Sequence, residues 1–228
     1  MAKLVFVEES AAAARAGALV ASALQSALET SEQARLAIPG GSAVAALPFV
    51  RKLLADQWSS VRLTWVDERC VDFDDADSNR GSAYRSGALE HAQKPGLELP
   101  LWLDGESAAR AESRVANSLR DDFSGGLDVV LLGMGPDGHI ASLFPGHPLL
   151  SLPADRVVAS LSDSPKPPNT RMTLTRSLLA RAGASILLAV GQAKEQALKR
   201  LVAGDKDLPA THLPNLTIIT NLDLGAEA

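Results

Sequence analysis

The chain has 228 residues, of which 46% are hydrophobic and 4% aromatic, so it can bury a core of Ala, Val, Leu and Ile side chains. Its formal net charge of -5 and the lack of a dense basic stretch argue against a nucleic-acid-binding protein. A single cysteine, Cys70, excludes an intrachain disulfide framework.

Short runs of Val, Ile and Leu alternate with helical patterns along the whole chain, which is typical of βα units with a parallel sheet. The sequence therefore predicts one layered α/β sandwich over residues 1–228, with a mostly parallel, Rossmann-like sheet. Strands are predicted at residues 4–7, 35–38, 61–66, 128–132, 156–160, 185–190 and 216–220. Helices are predicted from Ser10, as N-cap, to about residue 28, and near 42–55, 79–92, 106–122, 175–182 and 192–203. Long loops are expected at 67–78 and at the proline-rich 162–170.

The N-terminal sequence MAKLVFVEES lacks the long apolar core of a secretory signal. The apolar run GALVASAL ends at Gln25 and is flanked by Arg15, so no segment is expected to approach the roughly 20 apolar residues that span a bilayer. We therefore expect a cytoplasmic protein without a membrane or nucleic-acid partner, either a monomer or a small homo-oligomer.

Ligands of open α/β sheets bind beyond the carboxyl ends of the strands, and the first such segment is Pro39-Gly40-Gly41-Ser42. Its two glycines let the backbone turn sharply and approach a ligand. The first amides of the following helix, with the Ser42 hydroxyl, favour an anion such as phosphate. The same sequence also fits a plain strand-to-helix turn with Ser42 as N-cap.

The second segment, Asp67-Glu68-Arg69-Cys70, follows the predicted strand 61–66. Asp67 and Arg69 can orient hydroxyls and an anionic or carbonyl group of a substrate. The further acids between residues 72 and 77 lack the ligand spacing of a calcium loop and indicate a solvated loop. Cys70 has no neighbour in sequence that marks a catalytic thiol, so it is interpreted as a small buried residue.

The third segment, GMGPDGH at 133–139, matches the G-x-G-x-x-G dinucleotide fingerprint, but its context is wrong. The acidic residue about 20 positions on, Asp155, precedes a predicted strand instead of ending one, so NAD binding is disfavoured. The remaining hypothesis is a flexible loop that brings Asp137 and His139 to a strand end. His139 could then take a proton from water, while Asp137 holds its tautomer or contacts substrate. A capping Asp beside a surface His is the structural alternative.

The fourth segment contributes two separated cations, Arg171 and Lys194, which together with helix amides could hold a phosphate dianion. Each cation alone would be an ordinary surface residue. The other histidines have no metal-ligand spacing and are interpreted as structural or surface groups: His91, His147 and His212. The serine-hydrolase and P-loop motifs G-x-S-x-G and G-x-x-x-x-G-K-[ST] are absent from the sequence.

Taken together, several short motifs in this order resemble the 6-phosphogluconolactonase family over nearly the whole chain. GMGPDGHIASLFPG is the most characteristic of them, and the full set is IPGGS at 38–42, TWVDERCV at 64–71, SNRGSAY at 78–84, LLGMGPDGHIASLFPGHP at 131–148 and TRMTLT at 170–175. The resemblance implies hydrolysis of 6-phospho-D-glucono-1,5-lactone, a small-molecule phosphosugar lactone, without a metal or organic cofactor. This reaction is the second step of the oxidative pentose phosphate pathway.

The resemblance also implies roles for individual residues. His139 is similar to the general base of the family, and Asp67 and Arg69 are similar to the pair that lines the sugar site. The phosphate cradle would consist of Gly40, Gly41, Ser42, Arg171 and Lys194, the two cations by similarity to the related amino-sugar phosphate isomerases.

Two alternatives remain. Glucosamine-6-phosphate isomerase/deaminases share the GGS turn, a DE pair, the GxGxDGH loop and the downstream Arg and Lys. Their loop, however, continues after the histidine through apolar residues to Asn, Glu and Pro, and that Glu supports sugar ring opening. Here the corresponding residues are Ser142-Leu143-Phe144-Pro145, without a carboxylate, which favours the lactonase. A non-catalytic sugar-phosphate sensor ranks third, because no helix-turn-helix segment is expected before the first strand.

Overall fold

The aliphatic runs form a parallel sheet whose central strands are buried on both faces, as expected for strands covered by helices. The computed structural model describes residues 2–225. Its strands are β1 Lys3–Phe6, β2 Ala34–Ile38, β3 Val61–Trp65, β4 Asp67–Arg69, β5 Leu97–Leu99, β6 Val129–Leu132, β7 Val158–Leu161, β8 Arg171–Leu174, β9 Ala184–Leu188 and β10 Leu216–Thr220. Seven of them pair in parallel in the order β1-β10-β9-β6-β2-β3-β5. The predicted α/β fold with a mostly parallel sheet is confirmed.

The order of the strands determines where a ligand site can form. Strands β2 and β6 lie side by side, and the chain continues from β2 to β3 on one side and from β6 to β9 on the other. Such a switch point leaves a crevice between the loops that follow the two strands. The carboxyl ends of β2, β3, β6 and β9 therefore bring the first three segments predicted to carry chemistry, and Lys194 of the fourth, to one edge of the sheet, whereas Arg171 lies on β8 outside this sheet.

Between residues 2 and 225, six α-helices connect the strands, and the longest lies against the sheet. They are α1 Glu9–Leu28, α2 Leu47–Leu54, α3 Asn79–Arg85, α4 Ala108–Asp121, α5 Arg176–Leu179 and α6 Glu195–Val202. By length and composition, α1 could cross a membrane, contrary to the expectation that no segment approaches such a span. However, one face of α1 is buried through Ala12, Ala16, Val20 and Leu24, and the helix packs on α2 and on four strands of the sheet. It is a core helix of this fold.

A second sheet of three antiparallel strands, in the order β4-β8-β7, was not predicted. The predicted strand 156–160 belongs to this small sheet, as β7, and the loop expected at 67–78 begins with β4. Strands β4 and β8 pair so that Arg69 lies opposite Arg171 and Asp67 opposite Thr173. This register brings two candidate site segments, about 100 residues apart in the sequence, to the same place. The three-residue strand β4 is too short to show a hydrophobic period.

Several predicted helix boundaries were wrong for identifiable reasons. The predicted cap Ser10 lies inside α1, whose N-cap is Glu8. The helix expected at 79–92 ends at Arg85, because Gly87 adopts a positive φ of 76° and its N–H bonds back to the Tyr84 carbonyl. The helices expected at 42–55 and 192–203 each begin with a 3-10 turn, Gly41–Ala46 and Gln192–Lys194.

Candidate active site

A cleft of about 280 Å³ lies at the carboxyl ends of β2, β3, β6 and β9. It is lined by nearly every residue that the sequence analysis singled out for binding or catalysis: Gly40, Gly41, Ser42, Asp67, Arg69, His139, Arg171 and Lys194. Asp137 does not line the cleft, but its side chain contacts the imidazole of His139, which does. The structure thus brings together five separate parts of the chain, of which the outermost, Gly40 and Lys194, are 154 residues apart in the sequence.

His139 and Asp137 form a close pair on the loop after β6. Asp137 Oδ1 lies 2.5 Å from His139 Nδ1. A carboxylate at this distance assigns the ring proton to Nδ1, which leaves Nε2 unprotonated and able to accept a proton. The imidazole is 17% exposed, and its ring centroid lies 4.7 Å from that of Phe144. The geometry is that of an oriented base with an apolar wall.

The surroundings of the imidazole disfavour its charged form. Burial lowers the pKa of His139, Asp137 opposes this effect through its hydrogen bond and charge, and Lys166 lowers the pKa further. For Asp137, burial acts to raise the pKa, but the hydrogen bond from His139 and the nearby Lys166 outweigh it, so the pKa of this carboxyl is lowered. A neutral imidazole beside an ionised carboxylate is the state that a general base requires.

The glycines of this loop serve its shape. The Gly135 N–H donates to the His139 carbonyl at 2.9 Å, and the Gly138 N–H donates to the Gly135 carbonyl at 2.9 Å. Gly138 has a φ of 88°, and a Cβ on Gly135 would collide with the imidazole of His139. The spacing that resembles a dinucleotide fingerprint therefore builds a tight turn under the imidazole.

Asp67 is buried in the cleft wall and held by neighbouring donors. The Ser142 hydroxyl donates to Asp67 Oδ2 at 2.6 Å, and the Asn79 amide donates to the Asp67 carbonyl at 3.0 Å. Arg171 Nη1 lies 3.9 Å from the same carboxylate oxygen. A carboxylate fixed in this way can accept hydrogen bonds from substrate hydroxyls in one orientation only. Ser142 and Asn79 occur in the recognised motifs, but no sequence signal assigned them this role.

Glu68, the neighbour of Asp67, organises the start of α3. Its carboxylate accepts hydrogen bonds from the backbone N–H groups of Arg69, Asn79 and Arg80, each at 2.7 Å. Burial nevertheless raises the pKa of Glu68 to about 7. Glu68 faces the interior and lies outside the residues that line the cleft. It positions Asn79. The sequence did not indicate this role, because a DER motif alone does not show whether its Glu side chain points into the interior or into the cleft.

The Gly40-Gly41-Ser42 turn approaches the cleft as expected, but Ser42 does not cap a helix. The 3-10 turn that follows has Gly40 as N-cap and no side-chain capping bond, and Ser42 is exposed. Gly41 has a φ of 65°. A Cβ on Gly40 would collide with the side-chain amide of Asn79, so this glycine is required by close packing.

Three cations line the cleft, and they differ in how many hydrogen bonds they already make within the protein. Arg69 Nη1 donates to the Asp77 carbonyl at 2.6 Å. Lys194 makes no ion pair with any residue between 2 and 225, and burial lowers its pKa. Arg171 is 4% exposed and donates to the backbone carbonyls of residues 166, 167 and 168 at 3.0–3.1 Å. Arg171 therefore uses most of its donors to hold the backbone, and its part in phosphate binding stays a prediction.

The remaining candidate groups have structural surroundings. His91 stacks on Tyr84, His147 caps the turn Pro148–Ser151, and His212 contacts the Lys206 carbonyl. Cys70 is half-buried, and burial raises the pKa of its thiol to about 12. Within residues 2–225, no three His, Cys, Asp or Glu side chains are grouped so that they could hold a metal ion.

Comparisons with known proteins identify the family of this chain. A model of the family described as glucosamine-6-phosphate isomerases/6-phosphogluconolactonase matches residues 7–219. A 6-phosphogluconolactonase of Mycobacterium tuberculosis is 34% identical over 212 residues, which cover 88% of this chain and 85% of that protein. A 6-phosphogluconolactonase of Rattus norvegicus is 40% identical over 153 residues, which cover 65% of this chain but only 59% of the rat protein.

Among solved structures, the crystal structure of a 6-phosphogluconolactonase from Shewanella baltica superposes with a TM-score of 0.81. The two sequences are 25% identical, and the alignment covers 96% of this chain and 97% of that one. The similarity therefore extends over both the parallel sheet and the small antiparallel sheet.

Proposed function

Because the chain belongs to the glucosamine-6-phosphate isomerase/6-phosphogluconolactonase family, we propose that it hydrolyses 6-phospho-D-glucono-1,5-lactone to 6-phospho-D-gluconate. One observation carries the choice of a hydrolase: His139, paired with Asp137 at 2.5 Å, lines the cleft, and the residue that packs on its imidazole is Phe144 instead of a carboxylate. This reaction needs an activated water and a stabilised oxyanion, but no acid relay for ring opening. We place it in the cytoplasm, as the second step of the oxidative pentose phosphate pathway.

The proposed reaction uses His139 twice. Its Nε2 accepts a proton from a water molecule, whose oxygen attacks the lactone carbonyl carbon and forms a tetrahedral oxyanion. The bond between this carbon and the ring oxygen then breaks, and the imidazolium returns its proton to the ring oxygen, which leaves as a hydroxyl. Asp137 holds the tautomer and stabilises the imidazolium in between. The water is thus split between the new carboxylic acid and the freed hydroxyl group.

The remaining cleft residues would bind the substrate. We assign Asp67 to a sugar hydroxyl and Arg69 to the sugar ring or its carbonyl, because both side chains lie in the cleft wall. The glycine turn at Gly40 and Gly41 with Ser42, together with Lys194, would hold the phosphate dianion. Arg171 remains a candidate for the same dianion, with at most one Nη1 hydrogen beyond its present partners.

The closest alternative is the isomerase/deaminase reaction of the same family. It would require a carboxylate near His139 to support opening of an amino-sugar ring. The acids nearest the imidazole are Asp137, which is paired with His139 and Lys166, and Asp67, which is bonded to Ser142. Asp137 is thus already used to orient His139, and Asp67 is assigned to a sugar hydroxyl, so the geometry favours the lactonase. A non-catalytic sugar-phosphate sensor ranks third, since such a site would not need an oriented base.

A direct assay distinguishes these functions. The lactone is generated in situ and its loss is followed with subtraction of spontaneous hydrolysis, beside ammonia release from glucosamine 6-phosphate. We expect lactone hydrolysis without ammonia release. His139→Ala should lower turnover at least about 100-fold with little change in unfolding temperature, because the base is lost. His212→Ala, at an exposed histidine outside the cleft, should behave as the wild type.

Each other outcome has a clear meaning. Ammonia release without lactone hydrolysis would favour the deaminase, and binding of the phosphosugar without either reaction would favour the sensor. Near-wild-type turnover of His139→Ala would remove His139 from the chemistry.

A further inference from the structure

The proline-rich segment 162–170 lies against the catalytic pair and is internally braced. Ser164 is buried, and its hydroxyl donates to the Lys166 carbonyl at 2.8 Å while it accepts from the Lys166 N–H at 3.3 Å. The Ser164 N–H donates to the Asn169 carbonyl at 3.1 Å. These bonds fix the backbone on both sides of Lys166 without regular secondary structure.

Arg171 anchors this segment to the small sheet. From β8, its Nη2 donates to the carbonyls of Lys166 and Pro167, and its Nε donates to the carbonyl of Pro168. Arg171 is itself fixed by burial and by its approach to Asp67. A buried guanidinium that bonds three consecutive carbonyls leaves the segment little freedom. The backbone from which the Lys166 side chain extends is thus fixed by the protein framework.

The Lys166 ammonium reaches the catalytic pair. Its Nζ lies 3.1 Å from Asp137 Oδ1 and 3.4 Å from His139 Nδ1. Since Nδ1 carries the proton that Asp137 accepts, the second approach is between two donors and brings a positive charge next to the imidazole. The ammonium therefore competes with the imidazole for the same carboxylate oxygen.

We propose, on the premise of the lactonase function, that Lys166 is a further positioning residue: its ammonium fixes Asp137 and opposes a positive charge on His139. Arg171 supports it by holding the backbone of the segment. In the resting site Asp137 then orients the imidazole without making it cationic, so that Nε2 is free to accept a proton.

The charges around His139 act in opposite directions. Lys166 disfavours the imidazolium, whereas Asp137 and Asp67 favour it. Other charged groups of the same cleft lie on the neighbouring elements: Arg69 on β4, Arg171 on β8 and Lys194 before α6. Of these six, Lys166 and Asp137 contact the imidazole nitrogen directly. Loss of the Lys166 charge should therefore raise the pKa of His139.

A competing role for Lys166 is direct binding of the substrate phosphate. The two roles predict different results for Lys166→Met. A positioning role shifts the titration of His139 and the acid limb of the kcat profile to higher pH. A phosphate ligand raises KM for the phosphorylated lactone more than for its unphosphorylated analogue and leaves both titrations in place.

The experiment measures both the titration of His139 and the pH dependence of kcat on the full chain. The His139 imidazole is titrated by NMR in the wild type, Lys166→Met and Lys166→Arg, with His139→Ala to assign its signals. The pH dependence of kcat is measured on the same proteins. We expect kcat of Lys166→Met to fall about fivefold at pH 5.5 and less than about twofold at pH 7.5, with Lys166→Arg restoring most of the loss. Lys52→Met, an exposed lysine on α2, is the matched control and should change neither property.

Different results would refute the proposed lactonase function and the positioning role of Lys166. A wild-type protein without lactonase activity would refute the proposed function, while the NMR titration would still test the contact between Lys166 and His139. An active wild type whose His139 titrates at the same pH with and without the Lys166 charge would overturn the positioning role. A KM effect restricted to the phosphorylated lactone, with an unmoved titration, would overturn it as well.

Discussion

Replacing Gly135 with alanine tests whether the loop under the imidazole sets the geometry of the base. A Cβ on Gly135 would lie 2.5 Å from Asp137 Oδ1 and would collide with the imidazole atoms Nδ1 and Cε1 of His139. Ordinary contact begins near 3.4 Å. The carboxylate must therefore move away by roughly 1 Å and the imidazole by more, so neither group can keep its present position.

The expected magnitude follows from this displacement. A misplacement of about 1 Å in a catalytic group costs on the order of 100-fold in rate, or about 2.7 kcal/mol in the activation free energy. We expect kcat of Gly135→Ala to fall by roughly this factor. The fold should be retained, because the strain can be released by movement of two partly exposed side chains.

The assay is steady-state lactone hydrolysis, beside thermal unfolding of the same preparations. Gly126→Ala is the matched control, because a Cβ there meets no atom within 4 Å among residues 2–225, and it should keep both turnover and unfolding temperature. A Gly135→Ala enzyme with wild-type kcat would refute the reasoning that this glycine is required by the imidazole. Equal losses in both variants would attribute the effect to glycine replacement in general.

Two further predictions concern the neighbouring glycine turn and the single thiol. Gly40→Ala should displace the Asn79 amide from Asp67, raise KM for the lactone about tenfold and cost about 1–3 kcal/mol in the free energy of unfolding, measured by urea denaturation. An unchanged KM would show that Asn79 does not set the position of Asp67. Because burial raises the pKa of Cys70 to about 12, iodoacetamide at pH 8 should alkylate it far more slowly in the native protein than in urea. Equal rates by mass spectrometry would contradict its burial.

The main sheet and the cleft could be predicted because their signals are local. Each strand of the seven-stranded sheet except β5 was recognised from a run of aliphatic residues, and parallel strands necessarily direct their carboxyl ends to one edge. The segments after β2, β3, β6 and β9 were therefore expected to meet, and the cleft contains them. Strand β5 has three residues, Leu97–Leu99, and shows no such run.

The parts that could not be predicted depend on pairing between distant segments. The register of β4 with β8 brings Arg171 near Asp67, and a sequence with two isolated arginines does not contain that information. Lys166 lies 27 residues from His139 in a segment that reads only as an irregular loop. Its contact with the His139–Asp137 pair is supported by backbone bonds to Ser164 and Arg171, which have no counterpart in hydrophobic period or motif spacing.

Phe144, at the position where the resemblance to the deaminases would lead us to expect a carboxylate, also affects the charge state of His139. The Phe144 ring packs on the imidazole at 4.7 Å and lies 5.9 Å from the Arg171 guanidinium carbon. A carboxylate in this place would favour the imidazolium and so raise the pKa of His139. The aromatic ring instead contributes to the burial that lowers this pKa. Lys166 and Phe144 are two independent features of the site, and both act in the same direction, toward a neutral imidazole. The proposed hydrolysis would need that state at the start of each turnover, because only an unprotonated Nε2 can take a proton from water.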